Sequence, residues 1–71
     1  MLQDVKKVIG NSGHLGNLGI TVDLGDDAII LRGKVNSFYL KQIAQELTKR
    51  TMKEHNVGQK IMVVNMIEVD G

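Results

Sequence analysis

The chain has 71 residues, a formal net charge of +1, 42% hydrophobic residues and no cysteine. That length allows one domain, residues 1–71; the near-neutral charge argues against a dedicated nucleic-acid binder, and the missing cysteines exclude disulfides and thiolate metal sites. Without such staples a chain this short must draw its stability from packing or self-association, and no apolar run approaches the roughly 18 residues of a membrane span.

The start of the chain, Met1-Leu2-Gln3-Asp4-Val5-Lys6-Lys7, lacks the apolar core of a signal peptide. A native Met1 would place the protein in the cytoplasm, and an excised domain would fit the periplasm or envelope; both readings stay open. Residues 2–11 predict a short helix with Leu2, Val5, Val8 and Ile9 on one face. Gly10-Asn11-Ser12-Gly13 ends it, and 14–19 predict a loop with an irregular helical turn through Leu15 and Leu18. Glycines at 10, 13, 16 and 19 read as turn residues, since neither a phosphate-loop lysine nor a preceding strand accompanies them.

Ile20-Thr21-Val22-Asp23-Leu24 alternates and predicts the first strand. Asp23, Asp26 and Asp27 surround a turn at Gly25, where aspartate bonds local backbone. Residues 28–35 predict the second strand and close a hairpin. Asn36-Ser37 then signals a helix N-cap. From about 38 to 53 the apolar period becomes helical, with Leu40, Ile43, Ala44, Leu47 and Thr51 on one face. Glu54 to Gln59 predict the loop out, and 60–69 the third strand.

The expected fold is α+β: a two-layer α-β-β-α-β sandwich with a small three-stranded mixed sheet and both helices on one face. Strand order 1-2-3 is favoured, with strand three parallel to strand two, and 2-1-3 also closes.

The pattern Leu31-x-Gly33-x-Val35, Ser37, mid-helix Ala44, Val57-Gly58 and Val64-Asn65-x-Ile67-x-Val69 resembles a BON domain. That family is named after bacterial osmotically inducible and nodulation proteins, and the resemblance runs from about Ser12 to Val69. It implies a non-enzymatic module that associates with membranes, phospholipid or partner proteins.

A second resemblance gives the alternative. Val8-Ile9-Gly10-Asn11-Ser12-Gly13 is similar to the I-G-x-x-G loop of KH domains, which clamps single-stranded RNA. A KH loop leads into a full helix, whereas two glycines interrupt the five residues Leu15-Gly16-Asn17-Leu18-Gly19. The loop also carries no lysine or arginine.

No catalytic, cofactor or metal constellation is expected. His14 and His55 stand far apart in predicted loops, and Ser12 and Ser37 lack a histidine base at a recognisable spacing. Gly33 falls on the inward face of its strand, where a missing side chain admits the helix residues 40–47. Asn65 is the lone polar residue among inward aliphatics and is expected to bond a strand end or loop backbone. Tyr39 and Lys41-Gln42 are expected to pack over the hairpin edge and along a solvated helix face, or else Phe38, Tyr39 and Lys41 form a recognition surface.

The period of two also defines the opposite sheet face. Ile30, Arg32, Lys34, Met62, Val64 and Met66 should point away from the helices, together with Thr21, Asp23 and Glu68. An apolar strip in a charged frame is the candidate interface. Its expected partners are a protein or a second copy in a weak homodimer, with anionic lipid drawn by Arg32, Lys34 and Lys60, and with no small-molecule substrate.

Overall fold

The computed structural model describes residues 1–55 and 60–70. Its elements are α1 (Leu2–Gly10), β1 (Thr21–Leu24), β2 (Ala28–Val35), α2 (Phe38–Glu54) and β3 (Met62–Val69). The fold is α+β, with a three-stranded mixed sheet in the order β1-β2-β3. The Val57-Gly58 part of the BON-like pattern and most of the loop that contains it lie outside the described residues.

β2 is the organising strand. It pairs antiparallel with β1, Val22 opposite Leu31, and parallel with β3, Leu31 opposite Asn65 and Arg32 opposite Met66. Ile29, Leu31 and Val35 alternate inward and are buried. They join Val5 and Ile9 of α1, Val22 of β1, Ala44 and Met52 of α2 and Ile67 of β3 in one core. Both helices therefore pack on the same side of the sheet, and the other side faces solvent. Leu24 shares the inward parity but is 54% exposed, because it lies at the end of the hairpin.

The start of α2 follows from local chemistry. Ser37 is extended, at φ −155° and ψ 152°, and its hydroxyl accepts a hydrogen bond from the Leu40 amide at 3.3 Å. Thr48 and Thr51 are buried although polar, because each hydroxyl donates to the carbonyl four residues back: Ala44 at 2.8 Å and Leu47 at 2.9 Å. With those donors satisfied, the threonines pack as apolar groups.

The glycine-rich segment after α1 is a chain of turns. Leu15 and Gly16 both donate to the Ser12 carbonyl, at 3.3 and 2.9 Å, and Leu18 donates to Leu15 at 3.0 Å. Leu15 is 1% exposed and belongs to the core. A side chain on Gly16 would meet the Gly10 carbonyl oxygen at 2.6 Å, so the turn closes only with glycine there.

Gly33 does not lie beneath α2 as the strand parity suggested. Its backbone has φ +146°, and an added Cβ would sit 2.9 Å from Cδ1 of Ile20 and 3.4 Å from the Ile20 Cα. At this end of the sheet the covering group is the chain entering β1, so the glycine serves the β1–β2 approach. Replacing Gly33 with alanine combines an unfavourable φ with a side-chain clash, and the expected cost is about 1–3 kcal/mol. Urea denaturation should show a lower midpoint at an unchanged slope; an unchanged midpoint contradicts this placement.

Candidate functional site

The open sheet face is set by the β2–β3 register. Its rows are Ala28 with Met62, Ile30 with Val64, Arg32 with Met66 and Lys34 with Glu68. Asp23 flanks Ile30 and Thr21 flanks Arg32 from β1. The predicted residues Ile30, Arg32, Lys34, Met62, Val64 and Met66 are thus brought together on adjacent strands. Met62 is 66% exposed and Met66 53%. Apolar character concentrates at one end of the face, while Lys34 and Glu68 mark the other.

One cation on this face is paired within the chain. Arg32 Nη1 lies 3.7 Å from Asp23 Oδ2, and Arg32 Nη2 lies 4.0 Å from the Met66 sulfur. Both members of the ion pair are more than half exposed, so the pair orients the guanidinium more than it stabilises the fold. Lys34 sits opposite Glu68 in the register. Beside these charges lies a methionine- and branched-aliphatic surface.

Asn65, on the helix side, acts differently from the sequence expectation. Its Nδ2 donates to the Lys41 carbonyl of α2 at 2.9 Å and to Gln45 Oε1 at 3.3 Å. Its Oδ1 accepts the Ile67 amide at 3.2 Å. The side chain therefore ties the outer strand to the second turn of α2 and closes one amide on the sheet edge. Its partner is a helix carbonyl, not a strand end or a loop. No one-dimensional pattern marks a mid-helix carbonyl as an available acceptor.

Beside it, a groove of about 320 Å³ runs between α2 and β3, lined by Phe38, Lys41, Gln42, Gln45, Glu46 and Asn65. Phe38 is 75% exposed at the mouth of this groove. Tyr39 meets the ring of His14 edge-on, centroids 6.2 Å apart, so it packs on the glycine-rich turns and not over the hairpin edge. His55, just past α2, places Nε2 2.7 Å from Asp4 Oδ2 and links the two helices.

A second concavity of about 420 Å³ lies between α1, the glycine turns and β1, with Lys6, Ile9, Gly16 and Ile20 among its walls. The adjoining Gly10–Gly13 loop has little left to offer a phosphate. Asn11 and Ser12 amides donate to Lys7 and Ile9 carbonyls at 2.9 and 3.1 Å, and the His14 amide donates to Ser12 Oγ at 3.2 Å. A KH-type clamp depends on such amides being available. Among the described residues, no group of three histidine, aspartate or glutamate side chains converges.

Compared with family models, curated proteins and solved structures, the chain matches none.

Substituting Asn65 with leucine removes the tie to α2 and releases the Ile67 amide. The expected cost is about 1–3 kcal/mol, accompanied by faster hydrogen exchange at Ile67 than at Leu31. Unaltered protection at Ile67 would show that the side chain does not hold that amide in solution.

Proposed function

We propose that this domain is a non-enzymatic protein-interaction module that binds through its open sheet face. The observation that carries the reading is the contiguous strip Ile30, Met62, Val64 and Met66, apolar and solvent-facing on a side of the sheet to which neither described helix packs. A patch of this kind on a small domain commonly marks an interface, and methionine side chains adapt to a partner's contours. The BON-like pattern around Leu31, Gly33, Val35, Ser37, Ala44 and Asn65 implies the same class of role.

Charge decides between partners. Anionic lipid calls for a basic excess near the bilayer, at about 1 kcal/mol per residue. Here Arg32 is engaged by Asp23 and Lys34 faces Glu68 across the strands. A protein surface with its own apolar centre fits this face better than a lipid headgroup layer. RNA binding through Gly10–Gly13 is disfavoured by the loop amides already spent on Lys7, Ile9 and Ser12.

Val64→Asp tests the reading, because it places a carboxylate in the middle of the strip while leaving the buried core untouched. By sedimentation equilibrium the wild type should associate weakly with rising concentration, and the variant should lose that association by about tenfold or more, as burying an unpaired charge requires. A wild type that stays monomeric at millimolar concentration removes self-association from the reading.

A further inference from the structure

β3 is the outer strand of the sheet, eight residues long and parallel to β2. In a parallel ladder, alternate residues direct their backbone groups to opposite neighbours. Met62 donates to Asp27 at 2.9 Å and Asp70 donates to Val35 at 2.7 Å, so the even-numbered residues face β2. Val63, Asn65, Ile67 and Val69 consequently present amides and carbonyls to the outside. Among these amides, Ile67 is closed by Asn65 Oδ1, and no described residue supplies an acceptor to the other three. The groove beside α2 adjoins this strand at Asn65. Long outer strands invite pairing, and charged side chains, bulges or covering elements commonly block it.

We infer that the partner of this edge is a second copy of the chain, joined by antiparallel β3–β3 pairing with Val64 opposite Val64 on a two-fold axis. This inference rests on the interaction-module reading and names its partner. The sequence of the strand is most self-complementary in that register. On the open face Val64 meets Val64 and Met62 meets Met66, and Lys60, in the turn two residues ahead of one strand, comes to the level of Glu68 near the end of the other. On the helix face Ile61 meets Ile67, and Val63 lies opposite Asn65. Sliding the strands by one step of two residues, so that Val64 faces Met66, keeps an opposite-charge pair between Lys60 and Asp70 but sets Met62 of each copy against Glu68 of the other. A further step sets Val64 against Glu68 and Met62 against Asp70. Opposite charges placed across antiparallel strands are favourable and an acidic group facing an aliphatic one gains nothing.

The odd residues fall in hydrogen-bonded pairs in this arrangement, which suits the outward amides. The Ile67 amide exchanges its Asn65 acceptor for the carbonyl of Ile61 in the other copy. The product is a continuous six-stranded sheet with all helices on one side. Met62, Val64 and Met66, at the margin of one copy, become the centre of the combined open face. A single strand pair buries less than a standard interface, so the dimer is weak and concentration-dependent.

Two measurements test this. The chain has no cysteine, so Val64→Cys introduces a unique thiol. Directly opposed residues in a non-hydrogen-bonded pair have Cα atoms about 4.5 Å apart, within disulfide reach. Mild oxidation should link Val64→Cys into a covalent dimer. Met62→Cys, about 13 Å from its equivalent in this register at the usual strand rise, should remain unlinked. The second measurement is a charge exchange at exposed positions. Lys60→Glu and Glu68→Lys should each weaken dimerisation by about tenfold in sedimentation equilibrium, and the double variant should restore the wild-type constant. Association that Val64→Asp disrupts but the charge exchange does not rescue overturns the edge pairing and leaves the open-face reading standing. A monomeric wild type, or equal cross-linking of Met62→Cys, overturns the edge pairing as well.

Discussion

The structure depends on β2 being paired on both sides while it buries Ile29, Leu31 and Val35 beneath two helices. A parallel partner for β2 needs a crossover long enough to travel the length of the strand, and α2 supplies it. Once α2 lies over β2 and β3, α1 has one place left to bury Val5 and Ile9, between α2 and the hairpin. The helices are then used up on one side. A three-stranded sheet built this way has an uncovered face and an outer strand as long as its central one.

Small size sharpens the consequence. A chain of this length has little apolar surface to spare for burial, yet it leaves Met62 and Met66 more than half exposed. Compensating devices sit elsewhere: the Ser37 cap, the two threonine hydroxyls turned back on their own helix, and Asn65 reaching the Lys41 carbonyl. Each satisfies a polar group that the compact core would otherwise strand, which costs about 1–3 kcal/mol. Asn65 joins the sheet edge to the helix layer. It ties the outer strand to α2 and closes a single edge amide, that of Ile67.

Much of this was legible in the chain. The alternation from Ala28 to Val35 gave the central strand and its two faces, and the change of period at Asn36-Ser37 gave the start of α2. The open-face residues followed from parity alone, because a period of two assigns every side chain once one is placed. What failed depended on contacts between distant segments. Gly33 has the parity of a residue under the helix, but the chain at Ile20 covers it. Leu15 looked like a turn residue and is core, since the turns that bury it are stabilised by backbone bonds rather than by any pattern. Thr51 has the spacing of the buried face of α2, whereas Thr48, buried beside it, does not stand out among the face residues Leu40, Ile43, Ala44 and Leu47. The partner of Asn65, a carbonyl on a helix 24 residues away, leaves no mark on local sequence.

The uncovered half of the sheet, and not the outer helix surfaces, is where this account places contact with other molecules. Residue-resolved NMR of the wild-type protein across a concentration series measures that directly. The account predicts progressive shifts in the methyl groups of Ile30, Met62, Val64 and Met66 and in the amides of Val63 and Asn65, with Lys6 and Lys7 on α1 unmoved. A spectrum that does not change up to millimolar concentration, or shifts centred on the exposed side of α1, would contradict it.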